Sequence, residues 1–394
     1  MPFRKATPLV AGTAGLALLL AGCGSTGTTA SGSGSGNSPE YVIGADIPLS
    51  GPNQIYGQLY QKAINLAVAN VNASHLLHGQ LKVDYVDGQA LPAPSVAGME
   101  QLVNVDHVLA VLTGFSAPTK AIAPIANRDH VVEINGGASS PDLARLGPYM
   151  LNDIPLADEQ VQVMIPWLVQ RGLNRWAVIY SNETLGTSIF NAIQQALPAA
   201  GGQLEASYPV EPTAVDYQSE VAKIKALSPA PNVVFLATTS GGLNPIIIKQ
   251  LRQGGVNAQI VSYAGFDIPA TVALPQAQGS IWPDQYIDYH YNDPATQTFN
   301  QTWSKQNAKP PITLQTNYYN AVLIIADALK YMEDHHEAAT GSNLLAAIHS
   351  VKRFPVVGGT LTFQSNGTVV EPLAIKQLEN HQEHILVVKT ATPQ

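Results

Sequence analysis

The sequence predicts an α/β fold made of two doubly wound lobes in tandem, with a cleft between them. Three observations predict it. From Tyr41 onward, short apolar runs alternate with amphipathic helical patterns. The alternation restarts after Ala157, which gives two units of like size. Twice in succession, at Val108–Ser116 and Val131–Ser140, a strand ends in Gly and Ser and hands over to a helix. Strands separated by single helices form parallel sheets covered on both faces. Ligands of such sheets sit outside the C-terminal ends of the strands.

In the first unit, Tyr41 to Pro48 reads as a buried strand broken by Ser50-Gly51-Pro52. Gly57 to Asn72 carries Leu59, Ala63, Ile64, Leu66, Ala67 and Val71 at helical spacing. Leu81 to Val86 is the second strand and Ser95 to Val105 the second helix. Val108 to Leu112 is then a strand, followed by the turn Thr113-Gly114-Phe115-Ser116 and a helix from Ala117 to Asn127. Val131 to Ile134 is another strand, and Asn135-Gly136-Gly137-Ala138-Ser139-Ser140 opens a further helix. Each junction points backbone N–H groups and a partial positive charge beyond the strand end. Two side by side make one shared site for a small anion.

The second unit opens with a helix from Glu159 to Arg171, the strand Arg175 to Tyr180 and a helix from Gly186 to Leu197. Gly202 to Tyr208 is extended and Tyr217 to Leu227 helical. Asn232 to Ala237 is a strand ending in Thr238-Thr239-Ser240-Gly241-Gly242, before a helix from Asn244 to Gly254 and a strand from Gln259 to Tyr263. Beyond Gln276 the pieces are scattered: helices at Asp293 to Gln306, Thr316 to Met332 and Leu344 to Val351, and strands at Gly358 to Phe363, Leu373 to Gln377 and His384 to Lys389. They are too dispersed to bury a core of their own. They therefore complete the two lobes, and the chain crosses between lobes more than once, which makes a hinge.

The opening residues predict an extracytoplasmic location. Arg4 and Lys5 precede an apolar run from Leu9 to Leu20, the layout of a secretory signal. It ends Leu20-Ala21-Gly22-Cys23, which resembles the lipobox of bacterial lipoproteins, with cleavage before a Cys whose thiol carries the lipid. Residues 1–22 are thus expected to be removed, and 23–40 to form the lipidated Cys and a Gly/Ser/Thr/Ala tether. Cys23 is the only cysteine, so no disulfide is expected. Only 12% of residues are charged and the net charge of −8 is spread without a basic block, which argues against nucleic acid as partner.

Several stretches together resemble a family. They are Ile43-Gly44-Ala45-Asp46-Ile47-Pro48-Leu49-Ser50-Gly51-Pro52 with Tyr56-Gly57 after it, Val83-Asp84-Tyr85-Val86-Asp87, the Thr113–Ser116 turn, Gly137-Ala138-Ser139-Ser140-Pro141-Asp142-Leu143, and Gly358-Gly359-Thr360-Leu361-Thr362-Phe363 with Asn366-Gly367. In this order and spacing they resemble the substrate-binding proteins of branched-chain amino-acid ABC importers. The resemblance implies the type 1 periplasmic-binding-protein architecture: two Rossmann-like lobes joined by a three-crossing hinge, a ligand trapped on closure, and no catalysis. The lobes would be residues 41–157 plus 285–372 and residues 158–284 plus 373–390. It also implies a permease of an ABC importer as partner, with the membrane engaged only through the lipid anchor. A monomer without cofactor is expected.

By the same resemblance, the ligand's α-carboxylate would be held at Ser116, Gly137 and Ser139, with Gly114 and Phe115 lining the wall and Tyr56 covering the site. The second lobe departs from the pattern. Leu185 stands where relatives carry an aromatic before a Gly, and Ser240 where a Tyr is common. Ala264 occupies the place of the acid that pairs with the ligand's ammonium. Because an unpaired ammonium in a closed cleft is costly, either Asp267 takes the role or the ligand has no α-amino group.

Ordinary structural roles stand beside these. Ser116 and Ser139 would serve equally as helix N-caps, Tyr56 as a packed aromatic, and Asp267 as a turn or capping residue. The reading is therefore a tethered solute-binding protein for an amino acid or related small carboxylate. A ligand-sensing receptor of the same fold, binding an amide or other small polar molecule, is the alternative, and a secreted hydrolase using Ser116 a remote one. Gly114-Phe115-Ser116-Ala117-Pro118 lacks the second Gly of a nucleophile elbow. The pairs His75/His78 and His335/His336 lack the companions a metal site needs.

Overall fold

The computed structural model describes residues 39–238 and 243–390. The predicted leader, Cys23, the tether and Ser240 lie outside the described residues.

The chain begins with β1 (Glu40–Ile47), α1 (Gln54–Ser74), β2 (Gln80–Asp87), α2 (Pro92–Asn104), β3 (Ala110–Thr113), α3 (Ser116–Asp129), β4 (Val132–Asn135) and β5 (Met150–Asn152). These strands form a parallel five-stranded sheet in the order β2-β1-β3-β4-β5. Its order reverses between β1 and β3, the crevice where ligands of doubly wound sheets bind. Helix α1 forms because Tyr60, Ala63, Ile64, Ala67 and Val71 recur on one face and are buried there. It ends at His75, in the left-handed conformation with φ 53°. At Gly57 a Cβ would sit 1.8 Å from the Pro48 carbonyl oxygen, so only glycine lets the helix start this close to the end of β1.

Next come α4 (Ala157–Val169), β6 (Arg175–Ser181), α5 (Thr184–Ala199), β7 (Gln203–Val210), α6 (Gln218–Lys225), β8 (Val233–Ala237), α7 (Leu243–Gln253), β9 (Gln259–Val261), α8 (Pro269–Val272) and β10 (Ile281–Gln285). Helices α9 (Pro294–Gln306), α10 (Thr313–Asp334) and α11 (Gly341–Val351) follow. The chain then makes a small hairpin, β11 (Phe354–Val356) and β12 (Gly359–Leu361), and closes with β13 (Pro372–Glu379) and β14 (Gln382–Thr390). The second sheet has seven strands in the order β14-β13-β10-β9-β8-β6-β7, parallel except for β13 and β14. One face is covered by α4 and α5 and the other by α6 and α7.

Helices α10 and α11 pack with α1 over the first sheet, in one apolar cluster that also takes in Phe354, Val356 and Leu361. The chain therefore passes between the two sheets three times: after β5, after β10 and before β13. Those are the crossings that the resemblance implied.

Several elements differ from the sequence expectation, α8 and β11 among them. The further helix after Ser140 is a single 3-10 turn, Pro141–Arg145, cut off by Gly147 at φ +119° and Pro148. Strand β5 follows it, and three residues are too few for a periodicity to show. Strand β10, Ile-Trp-Pro-Asp-Gln, gives no strand signal in the sequence, since Pro and Asp oppose a central strand. Tertiary partners make it tenable. Buried Asp284 accepts hydrogen bonds from Thr313 Oγ1 at 2.6 Å and Lys376 Nζ at 2.7 Å. Lys376 also donates to Glu383 at 3.0 Å, so a buried charge is paired on two sides where the chain leaves the second sheet. Burial alone would lower the Lys376 pKa, but Asp284 foremost, with Asp267 and Glu383, holds it above the ordinary value.

Candidate functional site

The ends of β1, β3 and β4 lie side by side and meet the end of β6 and the loop after β9 from the other sheet. One pocket lies between them. From the first sheet it is lined by Tyr56, Tyr60, Gly114, Phe115, Ser116 and Gly137, and from the second by Glu183, Leu185, Tyr263 and Ala264. Leu314 closes it from α10. The space open to the centre of a water-sized sphere is about 50 Å³. One water needs roughly 10–15 Å³ on that measure, so the pocket suits a small molecule held closely.

The two glycine turns are forced together by an aromatic stack beneath them. Tyr60 stacks on Tyr318 with ring centroids 4.1 Å apart, and the Tyr318 hydroxyl donates to the Thr113 carbonyl at 2.9 Å. A Cβ on Gly114 would lie 1.7 Å from that hydroxyl. One on Gly137 would lie 3.0 Å from the Gly114 carbonyl and 3.2 Å from the Tyr60 hydroxyl. Glycine is thus required at Gly114 by close approach and favoured at Gly137. Tyr56 meets Phe115 edge-on at 5.7 Å, which completes an apolar wall above the turns.

Helix α3 starts at Ser116 with Phe115 as an extended N-cap. The amides of Ser116 and Ala117, in its first turn, have no intrahelical acceptor. Ser116 is buried, and its Oγ accepts from the Ser140 amide at 3.3 Å, which leaves the hydroxyl hydrogen to donate. The second turn differs from the expected helix N-terminus. The Gly137 and Ala138 amides donate to Asn135 Oδ1 at 3.1 and 2.6 Å, so an Asx-type turn uses them internally. Anion donors therefore concentrate at the start of α3, and Gly137 contributes its lack of a side chain.

Of the sequence-predicted residues, Tyr56, Gly114, Phe115, Ser116, Gly137, Leu185 and Ala264 line this one pocket. Ser139 and Asp267 are buried outside its lining. The Ser139 carbonyl accepts from Ala157 at 2.7 Å, where the chain leaves the first sheet. Asp267 Oδ2 has no hydrogen-bond partner among the described residues. Burial, then the neighbouring Glu383 and Asp284, pushes its pKa well up. Tyr60, Glu183, Tyr263 and Leu314 were missed. Tyr60 lies one helical turn beyond Tyr56, a spacing that could have found it. Glu183 comes two residues after the end of β6, at the N-cap of α5. Burial raises its pKa to about 7.

Residues 40–383 match the family described as periplasmic binding protein. This chain belongs to that family. Its members are solute-binding components of transporters that work outside the cytoplasm, not enzymes. The chain is 25% identical over 344 residues to a Leu/Ile/Val-binding protein homolog of Brucella melitensis, covering 84% of this chain and 89% of that relative. Its fold is similar to that of a leucine-binding protein from Thermotoga maritima, with TM-score 0.80, 17% identity, and coverage of 88% of this chain and 98% of that one. It is also similar to a solute-binding protein of an ABC transporter from R. palustris in complex with benzoate. There the TM-score is 0.79 at 16% identity, over 90% of this chain and 97% of the other.

Proposed function

We propose that this solute-binding protein captures a small carboxylate, an amino acid or a related acid, and delivers it to the permease of an ABC importer. In this reading it is a monomer tethered to the cell membrane by lipid on Cys23. The lobes are residues 41–157 plus 285–372 and 158–284 plus 373–390. One observation carries the reading: the start of α3, with the Ser116 hydroxyl and two free amides, faces a pocket whose far wall comes from the other sheet. An anion at that helix end gains charge-assisted hydrogen bonds, each stronger than a neutral pair. The related proteins named for leucine and crystallised with benzoate support a carboxylate as the shared element.

Closure follows from the two-sided pocket. A ligand that touches both walls binds the closed state better than the open one, and so shifts the population toward closure. The closed form is the one presented to the permease. Phe115, Leu185 and Leu314 give the pocket an apolar side that receives the ligand's hydrocarbon part.

Titration calorimetry and thermal shift against amino acids, aromatic acids and their amides test this. Carboxylates are expected to raise the melting temperature, and their amides to do so far less. A protein stabilised only by neutral polyols or amides would refute the carboxylate site.

A further inference from the structure

We propose that Ser140 and Ser188 form a clasp between the two halves of the molecule, and that Ser140 is the positioning residue that couples closure to the anion site. This rests on the closure reading above and adds the residues that set its equilibrium.

Ser140 stands at the N-cap of the 3-10 turn Pro141–Arg145, where a serine ordinarily bonds back to the first amides of the turn. It makes no such bond. The residue is fully buried, and its hydroxyl donates instead to Ser188 Oγ at 3.1 Å. Ser188 lies on α5, which covers the second sheet, whereas Ser140 follows β4 of the first. A hydroxyl that forgoes a local cap for a partner 48 residues away is satisfied this way only while the two halves are together. Opening the cleft breaks the bond.

The same residue reaches the anion site. Its backbone amide donates to Ser116 Oγ at 3.3 Å, which fills an acceptor position of that hydroxyl and leaves its hydrogen for the solute. On the other side, Ser188 sits three residues after Leu185 on α5, a spacing that makes them neighbours on the helix surface, and Leu185 lines the pocket. Ser140 thus holds a solute-facing group with its amide and the helix of the second wall with its hydroxyl. Neither Ser140 nor Ser188 belongs to the pocket lining. The clasp therefore contributes equally for every solute that the closed pocket holds. It sets how readily the protein closes, and the pocket walls set which solute is chosen.

Calorimetry and stopped-flow binding with leucine, phenylalanine and benzoate as probes test this. With Ser188→Ala, each probe that binds the wild type is expected to lose affinity by a common factor of about three- to tenfold, the worth of one neutral hydrogen bond. The loss appears as faster dissociation, and the order of the probes is unchanged. Ser140→Ala is expected to show the same loss, since its amide remains, and the double variant no more than either alone. Ser188→Thr keeps the hydroxyl and is expected to keep the affinity. A bond that served stability alone would lower the unliganded melting temperature and leave affinity untouched.

Unchanged affinity in Ser188→Ala, losses that differ from probe to probe, or losses that add in the double variant overturn the inference. If in that case Ser116→Ala still weakens the acids, the carboxylate reading stands. Should no probe bind, that reading falls and cross-linking decides the clasp. Ser140→Cys combined with Ser188→Cys, with Cys23→Ser to remove the only native thiol, is expected to oxidise to a disulfide. Small-angle scattering should then show a smaller radius of gyration that dithiothreitol reverses. No disulfide, or one that leaves the radius unchanged, overturns the clasp.

Discussion

The two walls of the pocket are built on opposite plans. The first is made of turns whose polar groups are already spoken for: Asn135 holds the Gly137 and Ala138 amides, Tyr318 holds the Thr113 carbonyl, and Ser140 donates to Ser116. Of the two turns, the one that opens α3 keeps donors to spare. The second wall holds a carboxyl oxygen with no hydrogen-bond partner among the described residues, beside a leucine and an alanine. A wall satisfied in advance pays little to bind and suits the group common to many ligands. A wall with an unmet need discriminates among them. Breaking the first should therefore abolish binding in general, and altering the second should change what is bound.

The largest effect is expected at Gly114. Gly114→Val forces its side chain against the Tyr318 hydroxyl, backed by the Tyr60–Tyr318 stack. Overpacking of this kind costs about 1–3 kcal/mol or more. Denaturant unfolding should show that loss, and calorimetry no measurable ligand binding. Ser116→Ala comes next. Losing a hydroxyl that donates to a carboxylate costs about 1.5–3 kcal/mol. Affinity for acids should fall about tenfold or more, with a much smaller change in the unliganded melting temperature.

Stability answers to pH through buried acids in both parts of the molecule. Burial raises Glu183 and Glu371 to about 7 and Asp46 to about 6. Each native pKa lies above its unfolded value, so the native state binds more protons in between, and the slope of stability with pH is negative there. That contribution is fully present below the unfolded carboxyl values, about 4, and is lost as pH rises through about 6 to 7. The unliganded protein should melt at a higher temperature near pH 5 than near pH 8. A flat profile would contradict the burial of these acids. The smallest effect is expected from Tyr318→Phe, which removes one buried hydrogen bond to Thr113 and leaves the stack. A stability loss of about 1 kcal/mol, with ligand preference unchanged, would separate the support beneath the turns from the selective wall.

Much of the first wall was legible in the chain. Thr113-Gly114-Phe115-Ser116 follows a buried strand and precedes a helical pattern, and such local order fixes where donors point. The second junction misled because its residues resemble a helix start while Asn135 bends back to take the amides, a choice made by a side chain rather than by periodicity. Strand β10 was hidden for a similar reason: Asp284 is tolerable inside a sheet only because Lys376, far along the chain, comes to lie 2.7 Å away. Glu183 gave a faint signal, an acid after an apolar strand, that could not be weighed without knowing what surrounds it.

Local patterning thus settled the alternation of strands and helices, the two-unit layout and the start of α3 just after Gly114, because these depend on residues near one another in the chain. Which residues share the pocket, that Ser139 and Asp267 stand outside its lining, and that a carboxyl of the second unit shares it with Ser116 were decided by packing. Desolvation and charge pairing depend on neighbours distant in sequence, and only the folded chain brings those neighbours together.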